Sequence, residues 1–340
     1  MHMADALLSP AVGGTMWAVA AGTIIYCSRK LRQEMDTGKA PLMGVLGAFI
    51  FAAQMINFTI PATGSSGHLG GGLLLAVLLG PTAAFITIAS VLVVQALFFA
   101  DGGLLALGCN IFNLGFFPAF LAYPFIYKPL VGSAPSKIRI TVAATVAAII
   151  GLQLGAFAVV SETVASGISS LPFAAFAGLM QPIHLAIGVV EGLVTGAVVY
   201  FVYQARPEII QSIQKVNPLD ATPLRNVLAA FLALALLTGG LVSWFASEKP
   251  DGLEWAIAKV SGTEELAEPE QGLHAKLAAL QESVAFLPDY TFQKPTQQPE
   301  NEAGTESPLG TSVAGIVGGL MTLAMALLSG ILLRKSVRVA

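Results

Sequence analysis

Apolar residues in this chain run together in long blocks cut by short polar seams. Nine such blocks predict helices, at 8–27, 42–58, 71–80, 82–100, 104–126, 140–160, 180–203, 226–246 and 312–333. A helix needs roughly 20 apolar residues to cross a bilayer, and most of the blocks are near that length. The third is half as long, and Gly80-Pro81 breaks it from the fourth. It is expected to lie against protein and not along lipid. The fold class this pattern predicts is all-α: a polytopic membrane helix bundle with a seven-span core and a two-span appendage.

Basic residues orient the bundle. Arg29, Lys30, Arg32 and Lys39 follow the first block. Lys128, Lys137 and Arg139 follow the fifth, Arg206, Lys215 and Arg225 the seventh, and Arg334, Lys335 and Arg338 the ninth. With nine spans all four groups share one side, which the positive-inside rule makes cytoplasmic. The N-terminus is then outside and the C-terminus inside, in a bacterial plasma membrane. The domain division that follows is a core over 1–204, a cytoplasmic amphipathic linker over 205–221, and an appendage over 222–340. In the linker Ile209, Ile210, Ile213 and Val216 would line one face of a surface helix. The appendage carries an external loop, 247–311, which is acidic and Pro-rich. It is expected to be helical over roughly 263–286 and disordered near 293–307.

Composition agrees with this picture. The 340 residues are 55% hydrophobic and only 11% charged, where a soluble domain carries about 25% charged residues. A net charge of −3 offers no basic face for nucleic acid. Cys27 and Cys109 both sit in apolar runs, so neither a disulfide framework nor a cysteine zinc site is expected. No Lys or Arg precedes Arg29, and Tyr26 is a poor neighbour for lipoprotein cleavage at Cys27, so the N-terminus is expected to be retained.

Chemistry concentrates at the start of the chain, Met1-His2-Met3-Ala4-Asp5. His2 is too large for bacterial removal of Met1, so Met1 should present an α-amine. That amine, the backbone nitrogen of residue 2 and Nδ1 of His2 can close two fused chelate rings on one ion. The most plausible fourth nitrogen is His68, in the glycine-rich run Thr63 to Gly72 on the same predicted side of the membrane. Tetragonal nitrogen ligation suits Ni(II), Cu(II) or Co(II) rather than Zn, Mg or Ca. The bland alternatives are a polar helix start and a flexible turn with an incidental histidine. Asn57, Ser66 and Asp5 are the candidates for holding ligands and tail in position. Asn57 would orient an imidazole, and Asp5 is read first as a cap on the first helix.

Other polar residues have plainer readings. Asn110 and Asn113 serve as glue between helices, Asp101 as part of an external turn, and His274 as a solvated histidine. His184 and Glu191 share a helix face seven residues apart, as a buried pair or a proton relay. No G-x-x-x-x-G-K-[ST] occurs, so ATP hydrolysis is not expected of this chain.

Met1 to Pro10 resembles the N-terminal signature of the NikM/CbiM family, the substrate-binding membrane components of energy-coupling-factor transporters for nickel and cobalt. Thr63 to Gly72, Gln95 to Gly108, and His184-Leu185-Ala186-Ile187-Gly188 with Glu191-Gly192 look like the same family. The appendage resembles the small N component, through Pro250-Asp251-Gly252-Leu253-Glu254, Leu287-Pro288-Asp289-Tyr290 and Gly310 to Gly318. Family members often have Ile and Gly where this chain has Met3 and Ala6, and neither supplies a donor atom. The resemblance implies metal donors at Met1, His2 and His68, and as partners a transmembrane coupling (T) component and cytoplasmic ABC ATPases. It implies no cofactor, Ni(II) or Co(II) being the substrate, and no enzymatic activity in this chain. The weighed alternatives are a metal-dependent membrane enzyme, which would need an open metal position and a base such as Asp5 or Asp101, and a non-metal membrane scaffold or channel.

Overall fold

A computed structural model describes residues 2–34, 38–210, 223–269, 271–292 and 308–334. Each of the nine apolar blocks forms a helix. The core contains α1 (Pro10–Glu34), α2 (Lys39–Gln54), α3 (Gly72–Leu79), α4 (Pro81–Phe99) and α5 (Leu107–Ile111). A π-helical stretch, Phe112–Tyr127, joins α5 to α6 (Lys128–Val131), and α7 (Lys137–Ser166) and α8 (Phe173–Ala205) complete the core. Pro118 and Pro124 lie inside the π-helical stretch, where each removes an amide donor and disfavours regular α-helical bonding. The appendage contributes α9 (Leu224–Gly240), α10 (Gly252–Ser261), α11 (Leu273–Val284) and α12 (Pro308–Leu333).

Among the described residues, six helices are long and apolar enough to cross a membrane; α2 and α9 are shorter apolar helices. The chain is a multi-pass membrane protein. The half-length third block, α3, is buried along all eight of its residues, as its missing length requires. Apolar side chains are exposed on the long helices, among them Ile25, Tyr26, Phe125, Leu193 and Leu328.

Small residues let the helices close on one another. A Cβ at Gly188, Gly192 or Gly196 on α8 would fall 2.8, 2.2 or 2.9 Å from the Cα of Ile149, Thr145 or Thr141 on α7. The descending numbers give an antiparallel pair in backbone contact along two turns. The appendage packs the same way: Gly239 of α9 meets Gly315 of α12, and Gly318 of α12 lies against the ring of Phe51 on α2.

Three features depart from the hydropathy pattern. A short antiparallel hairpin, β1 (Phe58–Ile60) and β2 (Ser65–Gly67), pairs Thr59 with Ser66 and stiffens the glycine-rich loop. Three residues per strand are too few to show a period of two in the sequence. The loop between the last two apolar blocks holds two helices, not one over 263–286. α10 begins earlier, at an Asp251–Glu254 capping box, and ends at Ser261, before α11 starts at Leu273. Lastly, α1 begins at Pro10, where Ser9 Oγ accepts from Val12 N at 3.4 Å. Asp5 sits in a separate turn, Asp5–Leu7, and is not the cap of that helix. The linker expected over 205–221 lies mostly outside the described residues, as do Ile213, Val216 and the segment 293–307; Ile209 and Ile210 are buried.

Gly192→Leu should force α8 off the Thr145 backbone and lower stability by about 1–3 kcal/mol. Gly22→Ala, at a position open within 4 Å, should stay within about 0.5 kcal/mol. Unfolding in detergent, followed by helical circular dichroism, checks both.

Candidate metal site

The N-terminal tail does not lie on the surface. Residues 3 and 5–8 are buried between the loop after α4 and the appendage. Buried backbone groups need partners, and the tail finds them in side chains far away in sequence. Asn110 Oδ1 accepts from Met3 N at 2.8 Å and its Nδ2 donates to Met3 O at 3.2 Å. Gly103 N also donates to Met3 O, at 2.9 Å. Asp5 Oδ1 accepts from Ala106 N at 2.9 Å. His274 Nε2 of α11 donates to Leu8 O at 2.8 Å. Asn110 is therefore a clamp on the tail and not glue between helices, and His274 is buried, not solvated.

This threading carries His2 to His68. The two rings stack with centroids 5.0 Å apart and planes 17° apart. β2 delivers His68 immediately after Gly67, and His68 Nδ1 donates to Leu69 O at 3.1 Å, leaving Nε2 as the lone-pair nitrogen. Asp251 Oδ2 lies 3.9 Å from that Nε2. Burial pushes the His68 imidazole down to about 3, so the ring is neutral near pH 7.

Nδ1 of His2, the atom a fused chelate requires, rests 2.8 Å from Asp101 Oδ1. Nδ1 cannot hold this contact and a metal at once. Asp101 is thus more than an external turn. Burial raises its carboxyl, but His2 and the hydrogen bonds from His2 and Tyr290 outweigh burial and hold it at about 2. Tyr290 of the appendage donates to Asp101 Oδ2 at 2.5 Å. Nε2 of His2 is buried without a hydrogen-bond partner among the described residues. Met1, the remaining sequence-predicted ligand, lies outside the described residues.

The positioning candidates behave unevenly. Asn57 lines the cavity beside the histidines but makes no hydrogen bond to either ring; its Oδ1 is buried without a partner, and its carbonyl accepts from Ser247 N at 2.7 Å. Ser66 holds the appendage instead of the tail: its Oγ donates to Lys249 O at 2.7 Å, and its amide to Pro250 O at 2.8 Å. Trp255 Nε1 adds a bond to Thr63 O at 3.0 Å. His184 and Glu191 are both buried but take different partners. His184 Nδ1 donates to Met180 O at 2.8 Å, while Glu191 accepts from the glycine loop.

Two cavities meet at His2. One, of about 200 Å³, is lined by His2, Asn57, His68, Asp101, Asp251 and Tyr290 among others. The second, of about 520 Å³, opens beside it. Seven carboxylates line it, from Asp101, Asp251, Glu254, Glu264, Glu265, Glu268 and Asp289, and no Lys or Arg is among its described lining residues. Burial and the neighbouring Asp251 carboxylate push the Glu254 carboxyl well above the usual range. A single-sign vestibule of this kind concentrates cations at its mouth. Among the described residues no three His, Cys, Asp or Glu side chains are grouped to hold a metal.

Sequence reasoning missed Asp101, Asn110, Asp251 and Tyr290 as parts of one site. Asp251 and Tyr290 were visible only as marks of the appendage, about 150 residues or more from the histidines in the chain.

A helix bundle with a buried N-terminal segment and a histidine pair beside an acidic vestibule defines the class: a polytopic membrane protein. The chain belongs to the CbiM family, described as "Cobalt uptake substrate-specific transmembrane region", whose model matches residues 2–209. Residues 225–335 match the PDGLE domain. A protein of Archaeoglobus fulgidus named for fused nickel transport (NikMN) is 33% identical over 330 residues, 96% of each chain. The "Cobalt transport protein CbiM" of Geobacter sulfurreducens is 27% identical over 287 residues, 80% of this chain and 81% of that one. A solved structure titled as a transition metal transporter superposes with a TM-score of 0.54 at 30% identity, covering 61% of this chain and 95% of that one.

Asn110→Ala should leave Met3 N–H and C=O without their side-chain partner, at a cost of about 1–3 kcal/mol. Amide hydrogen exchange in the N-terminal peptide should accelerate by roughly 10- to 100-fold, on the scale of 1.4 kcal/mol per decade. Unchanged exchange would show that the tail is held by other means.

Proposed function

We propose that this chain is the substrate-binding membrane subunit of an ATP-driven importer of Ni(II) or Co(II). The ion enters from outside through the acidic vestibule. It binds to the Met1 α-amine, the backbone nitrogen and Nδ1 of His2, and Nε2 of His68. The observation that carries this reading is the stacking of His2 on His68, brought about by a buried tail that has no other evident task. Nitrogen donors in a tetragonal set favour Ni(II) and Co(II) over Zn(II), Mg(II) or Ca(II). Displacement of the amide proton at residue 2 adds a strong-field donor that hard cations cannot recruit. Asp101 holds the His2 ring in place until the ion takes its Nδ1.

Energy comes from other chains in this reading. A transmembrane coupling component and cytoplasmic ABC ATPases drive reorientation of the core and release the ion inside. The relatives named for nickel and cobalt transport, and the family description, support the substrate class. The core (1–204) binds the ion, while the appendage (222–340) closes over it through Ser66, Asp251 and Tyr290. The N-terminus and vestibule face outward, and the C-terminus lies in the cytoplasm.

Equilibrium dialysis of the purified chain with nickel and with cobalt tests the site. His2→Ala and His68→Ala should each reduce binding by at least 100-fold, since loss of one donor opens the chelate. A single residue added ahead of Met1 should do the same by displacing the amine. Undiminished nickel binding by the extended chain would sink the chelate.

A further inference from the structure

Glu191 lies two helical turns along α8 from His184, buried in an apolar bundle where an ionised carboxylate is unfavourable. Among the described residues no cation forms an ion pair with it. Its oxygens face the glycine loop instead: Oε2 accepts from Gly70 N at 2.7 Å and Oε1 from Gly71 N at 3.1 Å. These amides sit at the start of α3, where backbone N–H groups lack intrahelical acceptors and the helix dipole is positive. Gly71 caps α3 without a side chain to offer, at φ +78°. The acceptor therefore comes from another helix. The loop fits it closely, since a Cβ on Gly70 would lie 3.1 Å from Glu191 Oε2. On the other side Gln54 Nε2 of α2 donates to Gly70 O at 2.9 Å.

The Gly70 N–H and the Leu69 carbonyl belong to one planar peptide unit. That same carbonyl accepts from His68 Nδ1 at 3.1 Å. We propose that Glu191 is a positioning residue that acts on the bound metal through this single peptide. The carboxylate polarises the Gly70 amide, which makes the Leu69 carbonyl a stronger acceptor. The carbonyl then holds the proton on His68 Nδ1 and strengthens Nε2 as a donor. Metal-bound histidines are commonly oriented by a carboxylate on their second nitrogen. Here a peptide is inserted between the two, and hydrogen bonds in series reinforce one another.

The inference rests on His68 being a metal ligand, as proposed above. Its test compares His68→Ala, Glu191→Gln and the unmodified chain, loaded with nickel alone. Glu191→Gln keeps the shape and one acceptor oxygen but loses the charge. With the fold intact by circular dichroism, it should bind nickel roughly 10- to 100-fold more weakly. Its ligand-field absorption should move to longer wavelength, a change that a merely structural role would not produce. If His68→Ala loses nickel while Glu191→Gln matches the unmodified chain in affinity and spectrum, the relay is wrong and the site stands. If His68→Ala binds nickel normally, the site itself is wrong. Should Glu191→Gln fail to fold, histidine ¹⁵N NMR of the unmodified metal-free chain decides, with His68→Ala for assignment. The relay requires the proton on Nδ1 of His68, and a proton on Nε2 would overturn it.

Discussion

The structure depends on one constraint: a polar chain segment has been buried in an apolar bundle, so each of its backbone groups must find a partner there. Met3 cannot bond to a neighbouring strand or a turn of its own helix. It takes both contacts from the side chain of Asn110 and a further one from Gly103. Asp5 and His274 do the same for the loop after α4 and for Leu8. Removing Asn110, Asp5 or His274 leaves a buried backbone group without its side-chain partner: Met3 N, Ala106 N or Leu8 O. Together these partners fix the path of the tail, which ends with His2 beside His68.

The histidine pair is framed from two further directions. The core supplies Asp101 on the His2 side and the Glu191–Gly70 contact below His68. The appendage supplies Asp251 and Tyr290, and it is seated by bonds from Ser66 and Trp255. Helix α10 reaches this position because Gly252 lacks a Cβ. A Cβ there would lie 2.5 Å from Ile183 and 3.2 Å from His184 Cε1. The same glycine belongs to the capping box that turns the chain into α10, so local helix initiation and closure over the site share five residues, Pro250 to Glu254. The vestibule carboxylates then face inward as a consequence of how α10 and the 263–269 segment fold back.

Legibility in the sequence followed the range of the forces involved. The helices of the apolar blocks could be read because burial in lipid demands long apolar runs, and α3 could be placed inside because it is too short to do otherwise. His2 and His68 stood out because histidines are few and chelation by a terminus is local chemistry. Asp5 was read first as a cap, because a carboxylate near a helix start has that local use; the approach of Ala106 N favours the other reading, a hold on the tail. His274 was misread for the same reason: its neighbours in the chain are polar, while its neighbours in space are the buried tail.

What the sequence determined by itself is the membrane bundle, the existence of an acidic loop between the last two apolar blocks, and the residue types able to hold a transition metal. These depend on composition and on spacings within a few turns of one chain segment. Tertiary structure decided which polar groups meet. Asn110 with Met3, Asp101 with His2, and Glu191 with Gly70 are joined across gaps of about 100 residues. The reason is that a hydrogen bond is satisfied by proximity in space, and in a bundle of closely packed helices proximity is set by which small-residue seams come together.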